Sequence, residues 1–182
     1  MIQYKIQKNP EANKIVIECG FANTADFSGL DFGCVKKIVQ ILAEFYAEYN
    51  LIKPIGFIGN GLIHNPNFIA NDSTVFAWTE ALENRDAPVS AEAVCFVPEH
   101  ISKDNIKSLV WHELGHVMDS NFGMALSSDS KIKEMFDDSG YSEDISEFIA
   151  DSWCEYKTRP RKISSKVGKY IDEYYQREVI CC

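Results

Sequence analysis

The chain is 182 residues long, 46% apolar and 25% charged, with a net charge of −9 at neutral pH. That length supports one sizeable hydrophobic core rather than two, in a composition ordinary for a folded domain. The acidic balance speaks against a general nucleic-acid binder, since nothing would neutralise a phosphate backbone, and no stretch approaches the roughly 20 apolar residues that span a membrane.

The opening, Met1 to Pro10, lacks the long apolar segment and small-residue cleavage site of a secretory signal, so a cytoplasmic location is expected, with secretion by another route as the alternative. Six cysteines, at 19, 34, 95, 154, 181 and 182, form no CxxC pair. This spacing suits neither a zinc ribbon nor a disulfide framework and fits a reduced protein. Cys19, Cys34, Cys95 and Cys154 sit among apolar neighbours and read as small buried hydrophobes.

In chain order, Ile2, Tyr4 and Ile6 alternate with polar residues, Asn9 to Asn13 supplies turn chemistry, and Ile15-Val16-Ile17 is β-branched; together they predict a β-hairpin. Residues 31–50 switch to helical spacing, with Val35, Ile38, Val39, Leu42, Phe45 and Tyr46 on one side, and Pro54 closes that helix. Ile55 to Gly59 is a short buried-strand candidate. The Gly-, Asn- and Pro-rich stretch from Asn60 to Pro88 reads as loop with one short strand near Val75-Phe76-Ala77-Trp78, and holds His64 in a loop without a role. Residues 91–97 form a clearer strand ended by Pro98, and His100 follows in a loop. We expect this strand to be a free edge able to pair with an extended peptide, because it directly precedes the next helix. Helices are then predicted over about 104–119, 129–137, 143–158 and 163–177. The order predicts an α+β fold in one domain: residues 1–121 carry the sheet and the motif helix, and residues 122–182 are helical.

The motif is His112-Glu113-Leu114-Gly115-His116. Ser102 or Asp104 can cap its helix. Ile106, Val110, Leu114 and Val117 form an apolar stripe, leaving His112 and His116 side by side at i,i+4 on the roughly opposite face. Two imidazoles so placed can bind one tetrahedral zinc, and Glu113 lies one helical step round, where it can take a proton from water acidified by the metal. Gly115 costs about 1 kcal/mol relative to alanine inside a helix, which makes sense if another segment must come close.

A hydrolytic zinc takes a third protein ligand. Glu147, in Ser146-Glu147-Phe148-Ile149-Ala150-Asp151, is the best candidate; its helix is expected to have an apolar stripe of Ile145, Phe148, Ile149, Trp153 and Tyr156, with Glu147 and Asp151 sharing a different face at i,i+4. Asp151, one turn on, is placed to accept from the far nitrogen of a ligand histidine. Asp119 rivals Glu147 as ligand but shares the rigid histidine helix, so it reads as a residue behind the site or at the helix end. Glu143 and Asp144 read as first-turn acids of the following helix.

The run His112 to Asp119, followed by Tyr141 and Ser146 to Trp153, resembles the catalytic domain of the anthrax lethal factor and Pro-Pro endopeptidase group, over roughly residues 103–177. The resemblance implies a zincin-like, gluzincin-type metallopeptidase acting on a peptide or protein. It further implies one zinc held by His112, His116 and Glu147, with Glu113 as base and Tyr141 as the phenol that steadies a developing oxyanion. Better-known relatives are secreted, and several carry another acidic residue where this chain has Asp151. Two other readings remain: a catalytically silent zinc-binding protein of the same fold, against which Glu113 counts, and a metal-free interaction domain, which leaves both motifs unexplained.

Overall fold

The computed structural model describes residues 6–69, 75–159 and 165–180. The first element is a helix, α1 (Asn9–Glu18), which replaces the expected hairpin; Ile2 and Tyr4 lie outside the described residues. Pro10 sits near the N-terminus of α1, where its missing N–H costs nothing. Ala12 and Val16, at i,i+4, bury the inner face. Asn9 and Asn13, taken as turn residues, instead hold the segment after β1: Asn9 Nδ2 donates to the carbonyls of Phe27 and Leu30, and Asn13 Oδ1 accepts from Phe27 N. The helix ends at Gly20, at φ 71°, a conformation open to glycine. Cys19 there is exposed rather than buried.

Strand β1 (Ala22–Asp26) leads through a loop to α2 (Phe32–Glu48), whose N-cap Asp31 accepts from Cys34 N at 3.0 Å. The stripe read from sequence is the buried face of α2, from Cys34 and Val35 to Phe45. Next come β2 (Ile55–Asn60), the short helices α3 (Gly61–His64) and α4 (Pro66–Ile69), and strands β3 (Ala77–Glu80) and β4 (Ala93–Phe96). His64 therefore ends a helix rather than lying in a loop; it stacks on Phe57 and meets Glu80 Oε2 at 3.1 Å.

The sheet order is β1-β2-β4-β3, with β1, β2 and β4 parallel and β3 antiparallel to β4. β4 is thus interior, paired with β2 on one side and β3 on the other, and all four of its residues are buried. The expectation of a free edge at 91–97 is overturned. A near-continuous apolar run is what a strand covered on both faces looks like. The edge beside the motif helix is β3.

The second half is helical: α5 (Ile106–Asn121), α6 (Ala125–Ser128), α7 (Ser130–Ser139), α8 (Ile145–Thr158) and α9 (Ser165–Ile180). One buried cluster runs from Ala12 on α1 to Tyr175 on α9, so both halves share a core. Lys157 of α8 adds a polar tie. Its Nζ donates to Glu48 Oε1 at 2.8 Å and to the Tyr49 hydroxyl, and lies within 5.8 Å of the ring centres of Tyr49, Trp111, Trp153 and Tyr156. The architecture is a mixed α+β one, and no helix among the described residues is long and apolar enough to cross a membrane.

Candidate metal centre

Two helices build the site. On α5 the predicted stripe, Ile106, Val110, Leu114 and Val117, is buried, which turns His112 and His116 toward α8. The helix starts without the expected cap. Asn105 precedes it, and its Oδ1 accepts from Ser102 N at 2.7 Å instead of capping the first turn. α8 is capped by Asp144, which accepts from Ser146 N and Glu147 N, so Asp144 stands just before the first turn. Gly115 lets the helices meet: a Cβ there would lie 2.7 Å from Ala150 Cα, a distance side chains do not adopt. The close approach read from this glycine is present.

Across that contact Glu147 faces both imidazoles. His112 Nε2 lies 3.2 Å from Glu147 Oε2, and His116 Nε2 lies 3.4 Å from Glu147 Oε1. One donor atom from each residue lies within 4.8 Å of the others. Ligand atoms about 2.0–2.1 Å from a tetrahedral zinc stand about 3.3 Å apart; the two separations, which run to different oxygens of Glu147, lie near that value, so the three residues could hold one ion.

The far ring nitrogens are also held. His112 Nδ1 meets Asp151 Oδ1 at 2.9 Å, and His116 Nδ1 meets Ser146 Oγ at 3.0 Å. The hydrogen bond from His112 keeps the Asp151 carboxyl below its ordinary value, so it is an ionised acceptor and Nδ1 carries the proton. In a neutral ring, Nε2 then directs a lone pair at the Glu147 carboxylate. Two acceptors 3.2 Å apart require a cation between them, either a proton on Nε2 or a metal ion. Hydrogen bonds from both imidazoles hold the Glu147 carboxyl far below its usual range. Burial works most strongly against a charged His112, yet the bonds to Asp151 and Glu147 push its pKa from 6.5 up to about 10.

Glu113 is 3% exposed, beside the imidazoles but outside the donor set. Burial pushes its carboxyl pKa up, which suits a group that must accept a proton near neutrality. Thr79 of β3 donates to its Oε2 at 2.7 Å. Tyr141 stands close by, but its hydroxyl donates to Asp151 Oδ2 at 2.5 Å, and its ring packs on Phe148. Its phenol is pushed upward, first by burial and then by that bond. Among the described residues, the Asp119 carboxylate accepts from Leu126 N, Ser127 N and the Ser127 hydroxyl, closing α5 and starting α6. Of its two readings, the helix end is the one observed.

The cleft over the site runs along β3. Two adjoining hollows share Ala77, His112, Glu113 and Glu147; Val75, Phe76 and Leu109 line one, and Thr79, Ala81 and Asp144 line the other. Sequence reasoning missed Ser146 and Thr79. Ser146 carried a faint signal as the neighbour of Glu147, whereas Thr79 lies 34 residues from Glu113 and carried none. Comparison with known proteins gives no further guide: no family model, curated protein or solved structure matches the chain at a significant level.

Proposed function

We propose that the chain is a zinc-dependent endopeptidase, a gluzincin of zincin-like fold resembling the anthrax lethal factor and Pro-Pro endopeptidase group. The observation that carries the reading is the convergence of two imidazole nitrogens on one carboxylate at 3.2 and 3.4 Å, beside a buried glutamate. His112, His116 and Glu147 would hold the ion, with Asp151 and Ser146 keeping the rings in orientation. Bound zinc supplies Lewis acidity to a peptide carbonyl and lowers the pKa of water beside it.

Glu113 takes the proton from the attacking water and returns it to the leaving amine, a role its raised pKa supports. Tyr141 could serve an oxyanion only by releasing Asp151, so in this arrangement it first acts to hold that carboxylate. The substrate's main chain would add to the outer edge of β3. Phe76 O is turned to β4 by its bond from Val97 N, and alternation turns the backbone groups of Ala77 and Thr79 outward.

The test is a peptide-library digest with zinc-loaded protein, read by mass spectrometry. Wild type should generate new peptide ends. Glu113→Gln should keep its zinc and lose at least about a hundredfold in rate, in the range that general-base catalysis supplies. Equal cleavage by the two proteins would rule the reading out.

A further inference from the structure

Glu113 is almost wholly buried, and a general base works only if its free oxygen is aimed at the proton it takes. Its Oε2 is bound by Thr79 Oγ1 at 2.7 Å, and among the described residues no side-chain or backbone donor meets Oε1. Thr79 Oγ1 also lies 3.3 Å from the Glu113 carbonyl, but one hydroxyl proton cannot serve both, and the shorter contact to the carboxyl oxygen takes it. The carboxylate is thus tethered by one oxygen and presents the other.

The tether comes from β3, the sheet edge along the cleft. Alternation turns the main-chain groups of Thr79 outward, away from β4, while its side chain reaches α5. We propose that Thr79 is a positioning residue that fixes the Glu113 carboxylate for proton transfer, and that it couples this base to the strand on which a peptide substrate lies. The inference rests on the endopeptidase reading; the hydrogen bond at its root does not.

Two measurements test it. The first uses the library peptide that wild type cuts fastest. Thr79→Val keeps the shape and deletes the hydroxyl. It should lower kcat about ten- to a hundredfold, as loss of a hydrogen bond to a charged group does, with KM within about twofold and zinc content unchanged. Thr79→Ser should restore most of kcat, an outcome that a merely structural threonine methyl would not give. The second is a double-mutant cycle on the unfolding equilibrium of the metal-free chain, with Thr79→Val and Glu113→Gln made singly and together. The two substitutions should be coupled by about tenfold or more in that equilibrium constant, whatever the protein cleaves.

If wild type cuts no peptide, or Glu113→Gln cuts as fast, the endopeptidase reading fails and the positioning role falls with it. If wild type is active and Glu113→Gln is not, while Thr79→Val keeps the wild-type kcat, this inference fails alone. A cycle without coupling also overturns it.

Discussion

Asp151 accepts from His112 Nδ1 at 2.9 Å and so decides which ring nitrogen is left to meet a cation. Tyr141 braces the other oxygen of that carboxylate, giving a chain of Tyr141, Asp151 and His112 that ends on the candidate metal position. Asp151→Ala should weaken zinc binding by about ten- to a hundredfold without unfolding the protein, as losing the acceptor behind a ligand histidine does. Competition against a chelating dye measures this, and unchanged affinity would remove Asp151 from the site. The raised His112 pKa has a sign that can be followed. Its charge stabilises the metal-free fold fully below pH 6.5, and this contribution is lost as pH rises through about 10. Zinc needs the bare nitrogen, so its affinity should rise over the same window, with about one proton released per zinc at pH 7. Calorimetry in two buffers of different ionisation enthalpy reads that proton directly, and a binding heat independent of buffer would contradict the assignment.

The pairing of α5 with α8 sets the site, and Gly115 sets the pairing. Alanine is the better helix former by about 1 kcal/mol, yet its Cβ would meet Ala150 Cα at 2.7 Å. Overpacking of this kind costs about 1–3 kcal/mol, so Gly115→Ala should destabilise the protein and weaken zinc binding together. Denaturant unfolding with stability equal to or above wild type would show that the contact relaxes freely. These two helices were legible because their buried stripes follow the helical period and their candidate site pairs fall at i,i+4. Other elements were not. In α1 the β-branched run Ile15-Val16-Ile17 outweighed the Ala12–Val16 spacing that packs it. β1 has only Ala22 and Ala25 as apolar residues, too little alternation to signal a strand. For β4 the apolar run gave the strand but not its place, because sheet order is decided by pairings distant in sequence.

Across the whole molecule, zinc would join residues of two helices separated by a loop and a further helix pair. The candidate ligands, taken from His112 to Glu147, span the α6–α7 segment, and the shared core holds both helices on the sheet. The cluster of His112, His116 and Glu147 was therefore legible in the sequence, while Thr79 and Ser146, which depend on that assembled geometry, were not. Metal binding that closes such a site is coupled to folding. Chelation should lower the melting temperature of wild type and leave that of His116→Ala almost unmoved. The most direct test of the central claim is the zinc content of freshly purified wild type, His116→Ala and Glu147→Ala by elemental mass spectrometry. About one zinc per chain is expected in wild type, and its loss from both variants; unchanged zinc in both variants, or none in wild type after zinc is supplied, would contradict the assignment.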